Sequence, residues 1–140
     1  MLSQPECSQI AQYFLDLPQS ERVKTNHFNF NLPERPPLFV KYGDKDLLAE
    51  ASTQTFFHAL AQNDKSAPGI PAVYHAFCEH GYYFMVMERV VDLPTLRACN
   101  SIPSEYAVKS VALAVGWLLA QMPAVPASLF GRISASGACV

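Results

Sequence analysis

The chain has 140 residues, the size of a single domain. Half of them are apolar and 11% aromatic, enough for a core, and only 16% are charged, which excludes wholesale disorder. The net charge is -2, from ten basic and twelve acidic residues, so no basic excess points to nucleic acid or an anionic membrane surface.

Ser3-Gln4-Pro5-Glu6 reads as a helix start. Ser3 can cap, Glu6 can reach back to it, and proline is tolerated in the first turn. Ile10, Phe14 and Leu15 follow at helical spacing, and Pro18 ends the element. Gln19 to Asn26 reads as a polar connection. Phe28 and Phe30 alternate with Asn29 and Asn31, which predicts a short strand. Pro33-Glu34-Arg35-Pro36-Pro37 breaks it. Leu38-Phe39-Val40-Lys41-Tyr42 then resumes as a second strand, with Lys41 on the opposite face from Val40.

Gly43-Asp44-Lys45-Asp46 supplies a turn and a cap. Leu47 to Gln62 predicts a helix, with Phe57, Leu60 and Ala61 at apolar spacing. Asn63 to Gly69 is a loop. Ala72 to Phe77 and Tyr82 to Val90 predict two strands, and Glu79-His80-Gly81 between them puts glycine where positive φ is needed. Pro94 to Asn100 predicts a short helix. Ser104 caps a longer one running to about Met122, with Val108, Val111, Val115, Leu118 and Met122 on one face. From Val111 to Ala120 this helix is apolar on nearly every side, and such a helix needs partners all round. Pro123 to Val140 has no periodic pattern to supply them. The helix is therefore expected to belong to a larger core than this chain builds, or to offer residues 111–120 to a protein partner.

Cys7, Cys78, Cys99 and Cys139 form no C-x-x-C pair, and no secretory signal opens the chain. They read as reduced thiols of a cytoplasmic protein. Val111 to Ala120 is too short to span a bilayer, so no membrane partner is expected. His75, Cys78 and His80 form H-x-x-C-x-H. A structural zinc site needs four ligands, no second cluster exists, and a strand would turn His75 and Cys78 to opposite faces. No metal site is expected there, and Cys78 reads as a small buried hydrophobe. No glycine-rich elbow surrounds any cysteine or serine that could serve as a nucleophile. His27 and His58 have no evident partner.

One pair points to chemistry. Lys41 projects from a strand and Glu50 lies early on the following helix. A lysine projecting into a cleft can bind nucleotide phosphates as a compact point charge, and a neighbouring carboxylate can hold the ammonium in place. The same spacing also suits two solvated surface charges.

The wording around this pair is distinctive. Leu38-Phe39-Val40-Lys41-Tyr42-Gly43 is followed by Leu48-Ala49-Glu50-Ala51, then by Ile70-Pro71-Ala72-Val73-Tyr74-His75-Ala76-Phe77. Tyr83-Phe84-Met85-Val86-Met87-Glu88 and Thr95-Leu96 come next. In order and spacing these resemble the amino-terminal half of the aminoglycoside phosphotransferase family, a branch of the protein kinase-like fold, from roughly Leu38 to Met122. The resemblance implies an α+β fold: a kinase-like N-lobe of a small antiparallel sheet plus a helix, followed by the first helices of a truncated C-lobe. It divides the chain into an N-terminal helix and linker (1–27), the N-lobe through the hinge (28–90), the start of the helical C-lobe (91–122) and a flexible tail (123–140).

The resemblance also implies roles. Lys41 matches the phosphate-binding lysine and Glu50 its helix partner. Met87 matches the residue at the back of the adenine pocket. Glu88, Arg89 and Val90 match the hinge whose backbone reads the adenine edge. Phe39 and Met85 become candidate pocket walls. The implied cofactors are ATP and magnesium, and the implied reaction is phosphoryl transfer to a small-molecule hydroxyl, the acceptor being unspecified.

The pattern is also broken. Phe28 to Pro37, where the family's phosphate loop would lie, contains no glycine. Val91-Asp92-Leu93-Pro94 stands where a post-hinge glycine is usual. The H-x-D-type aspartate, the downstream asparagine and the magnesium-binding aspartate of this chemistry do not follow the long helix. The expectation is a truncated or degenerate relative without turnover of its own, or a non-catalytic nucleotide-binding or protein-interaction remnant.

Overall fold

Helix α1 (Gln4–Asp16) begins where Ser3 and Glu6 predict it. The Ser3 amide and hydroxyl both donate to one Glu6 carboxylate oxygen, at 2.7 and 2.8 Å. Pro5 is harmless there, because an N–H in the first turn has no intrahelical acceptor. Arg35 reaches back from the proline-rich loop and donates to the same carboxylate through Nε at 2.8 Å and Nη2 at 3.1 Å. Arg35 first, and Ser3 after it, lower the Glu6 carboxyl to about 2 from its ordinary 4.5. A carboxylate depressed in the folded state stabilises fully above its unfolded value and loses that contribution as pH falls through the folded one. Stability should therefore drop between pH 4.5 and about 2, and denaturant melts of Glu6→Gln should lack that part of the drop.

The structure is a computed structural model and describes residues 1–90 and 105–125. The short helix expected at Pro94 to Asn100, the Ser104 cap and residues 126–140 of the tail lie outside the described residues. Gln19 to Lys24 differs from expectation. It forms a helix, α2 (Gln19–Lys24), rather than a polar connection, and none of its residues is buried. Six residues without a buried face leave no apolar period to read. Tertiary contact holds it: the Tyr42 hydroxyl lies 2.6 Å from the Thr25 carbonyl and 3.1 Å from that of Arg22.

Four strands, β1 (His27–Phe30), β2 (Leu38–Gly43), β3 (Val73–Glu79) and β4 (Tyr82–Glu88), form an antiparallel sheet in the order β1-β2-β4-β3. Helix α3 (Asp46–Ala61) links β2 to β3. It opens with Asp44, whose carboxylate accepts the Asp46 N–H at 3.0 Å. The period of two along each strand sorts the core into two layers. Leu38, Val40, Tyr42, Phe84 and Val86 face α1, where they meet Cys7, Ile10, Ala11 and Phe14. Met85 and Met87, with Phe39, Val73 and Ala76, face Leu47 and Ala51 of α3. Strand β3 carries an irregularity between Val73 and His75. The β3–β4 hairpin turns on His80 and Gly81, at φ 51° and 82°. Positive φ at both central residues twists the turn with the strands, so His80 shares the role the sequence suggested for Gly81 alone.

Helix α4 (Glu105–Gln121) continues into a 3-10 turn, Met122–Ala124. The apolar face for which the sequence offers no partners is largely exposed. Val108 is 57% exposed and Val115 48%, and off that face Leu113 and Leu119 are 66% and 65% exposed. Trp117 is the buried residue instead, and its indole N–H donates to Asp64 at 2.7 Å, tying α4 to the α3–β3 loop. Hydrogen bonds from Ser66 first, then from Trp117, hold the Asp64 carboxyl below its ordinary range. The apolar stretch is also longer than expected. Ala107–Ala124, 18 residues, is long and apolar enough to cross a membrane by length and composition. A core helix passes the same test, but the exclusion by length does not stand.

Cys7 is free and buried, and burial pushes its thiol up. Cys78 is half-buried rather than buried.

Candidate functional site

Lys41 stands on β2, one of the two central strands, half-buried on the α3 face of the sheet. Its register partners are His27 on β1 and Met85 on β4, while Phe39 lies opposite Met87. Partners directly across a sheet share a face, so His27, Phe39, Lys41, Met85 and Met87 belong to one surface. On α3, Leu47 and Ala51 are one turn apart and buried against that surface. Glu50 rides at the margin of the same stripe. Its carboxylate accepts a hydrogen bond from the Lys41 ammonium in a direct ion pair. The side chains are 24% exposed at Lys41 and 47% at Glu50. A pair this open contributes at most about 1 kcal/mol to stability. Its consequence is orientation: one ammonium is held over the sheet at a fixed place.

The other expected residues divide. Phe39 is half-buried beside Lys41, and the His27 ring stacks on it at 4.9 Å with 21° between planes. Sequence reasoning left His27 without a role, because only strand register brings it opposite Lys41. Met87 is 6% exposed and takes a hydrogen bond on its sulfur, at 3.6 Å, from Gln54, which also donates to the Pro71 carbonyl at 2.9 Å. It packs with Phe39 in the core layer against α3. Met85 is fully buried, so it is core and lines nothing that a ligand reaches, correcting its place as a pocket wall.

The strand ends at Glu88 rather than Val90, and the expected hinge is only partly free. The Glu88 amide donates to Ala72 O at 2.8 Å and the Arg89 amide to Pro37 O at 3.3 Å. The Glu88 carboxylate accepts the Ala72 N–H at 3.3 Å. Neither of these two amides can read an adenine edge without breaking an internal bond. Val90 is 55% exposed, and its amide has no backbone hydrogen bond among the described residues.

A depression of about 310 Å3 opens beside the pair, lined by Asn26, Lys41, Asp44, Asp46, Leu47 and Glu50 among others. Three carboxylates make that side unfavourable to an anion, so a phosphate would have to approach Lys41 from the Phe39 side. A larger cavity, about 620 Å3, lies past the turn ends of β2 and β4 around Gly43, Gly81 and Tyr83, and holds neither Lys41 nor Glu50.

The remaining histidines are structural. His75 stacks on Phe77 at 5.9 Å, and burial keeps its ring below its ordinary pKa. His58, expected to lack a partner, has two. Its Nδ1 lies 2.7 Å from the Ile70 carbonyl and its Nε2 lies 2.9 Å from the Gln62 amide nitrogen. These bonds suit a neutral ring with the proton on Nδ1. Among the described residues no group of three or more His, Cys, Asp or Glu is placed to hold a metal ion. Comparison with family models, curated proteins and solved structures yields no match.

Proposed function

We propose that this chain is the nucleotide-binding part of a kinase-like phosphotransferase of the aminoglycoside phosphotransferase type, which uses ATP to phosphorylate a small-molecule hydroxyl. The observation that carries this reading is the Lys41–Glu50 pair. A strand lysine fixed by a helix carboxylate is how such enzymes orient nucleotide phosphates. Its surroundings are compatible with ATP: Phe39 gives a flat apolar surface and the Val90 amide a donor at the strand end. ATP would supply the phosphoryl group. Lys41 would hold its phosphate oxygens, Glu50 would keep the ammonium in place, and Phe39 would exclude water from one side. The described residues offer no magnesium cluster, so no step is assigned to that ion.

These 140 residues contain no H-x-D sequence, and no aspartate, asparagine or histidine follows α4. The chain by itself should therefore bind ATP without transferring phosphate. In a thermal melt ATP should raise the midpoint, since a ligand present at a hundred times its dissociation constant stabilises by about 2.7 kcal/mol. No rise at millimolar ATP, or phosphate transfer above background, would contradict the reading. The implied location is the cytoplasm, where ATP is.

A second reading has its own support in the exposed apolar residues of α4: a non-catalytic remnant that binds another protein through this helix. Lys41→Ala separates the two. It should abolish ATP-dependent stabilisation and leave any partner bound to α4 in place.

A further inference from the structure

Arg22 carries a charge that no carboxylate balances. Among the described residues it makes no ion pair. Its Nε is shut from solvent and has no hydrogen-bond partner. That nitrogen is closed to a ligand as it is to water, so the terminal Nη1 and Nη2 are the donors left to meet one.

The arginine is fixed at both ends. Its carbonyl lies 3.1 Å from the Tyr42 hydroxyl, and its guanidinium carbon stands 5.4 Å from the centre of the Phe14 ring. Phe14 is itself wedged by Tyr42, Tyr82 and Phe84 at 4.5, 4.7 and 5.5 Å. The guanidinium is thereby held against an immobile aromatic face. Beside it opens a cavity of about 410 Å3, lined by Phe14, Gln19, Arg22, Val23, Tyr42 and Tyr82. Arg22 is the only charged residue of that lining. The Tyr42 hydroxyl is already bonded to the α2 end. What remains is one oriented cation, the Gln19 amide and apolar or aromatic walls.

We propose that this cavity binds a small organic oxyanion, a carboxylate or phosphate monoester carrying an aromatic or apolar group. The Nη1 and Nη2 edge of the Arg22 guanidinium grips the oxyanion with two N–H donors. The walls of Val23 and Tyr82 take the apolar part, over the buried Phe14 ring. The site lies on the α1 face of the sheet, opposite Lys41, and is independent of the nucleotide reading.

The test is calorimetric titration of the chain with benzoate, phenyl phosphate and inorganic phosphate. Saturable binding of benzoate or phenyl phosphate, tighter than that of inorganic phosphate, is expected. Arg22→Gln should weaken it by about tenfold or more, and Lys41→Ala should leave it unchanged. Arg22→Lys keeps the charge, and serves if the glutamine variant does not fold. It should also bind several-fold more weakly, because a lysine lacks that two-donor edge. Absence of saturation, binding unaltered in a folded Arg22 variant, or binding lost in Lys41→Ala would overturn the proposal. So would inorganic phosphate binding as tightly as phenyl phosphate.

Discussion

Phe14→Ala should destabilise the chain by about 3–5 kcal/mol, read as a lowered midpoint in urea. The side chain is 1% exposed and sits where α1 meets the sheet. The rings of Tyr42, Tyr82 and Phe84 close on it from three directions, and Arg22 covers a fourth. Rings wedged this way cannot collapse into the space a phenyl group leaves, so most of the cavity would persist. The whole stability of a small domain is about 5–15 kcal/mol, so this one change takes a large share. Val23→Ala is the matched control: Val23 is 79% exposed on the neighbouring helix, and its loss should stay within about 0.5 kcal/mol. A cost at Phe14 as small as that of the control would mean that α1 does not belong to the folded core.

Lys41→Ala should do the reverse, with little effect on the fold and a large one on ligand. Its ion pair with Glu50 is open to solvent, so the melt should shift by no more than about 1 kcal/mol. ATP affinity should fall by about tenfold or more, since a charge-assisted contact to phosphate is lost. Adenosine lacks phosphate and should be unaffected. Glu50→Gln should fall between, because the ammonium remains but is no longer held in place. Equal losses for ATP and adenosine would mean that Lys41 acts through the fold rather than on phosphate.

Much of this arrangement was legible in the chain because the controlling interactions are local. The Ser3/Glu6 helix start, the strand at Leu38 and the glycine in the β3–β4 turn follow from patterns a few residues long. The resemblance around Lys41 and Glu50 pointed to their pairing before any register was known. What escaped is tertiary. α2 has no buried residue to set a period and is held by Tyr42 of β2. His27 faces the site only because β1 pairs with β2 in a particular register. Met85 and Met87 are equivalent in sequence, and both are buried in the layer against α3, Met87 directly opposite Phe39. The amides of Glu88 and Arg89 looked available until their partners, Ala72 and Pro37, were placed beside them. On α4 the helical period was plain, but Trp117, the residue that docks the helix, lay outside the predicted face.

The most direct test of the nucleotide reading is to titrate ATP into the isotopically labelled chain and follow its backbone amide signals. Saturable shifts should concentrate at Phe39, Lys41 and Glu50 on the α3 side and at Val90 past the end of β4, and the Lys41→Ala chain should lose them. Shifts confined to Gln19, Arg22 and Tyr82 would place the anion in the other cavity. No saturable shift at millimolar ATP would contradict nucleotide binding altogether.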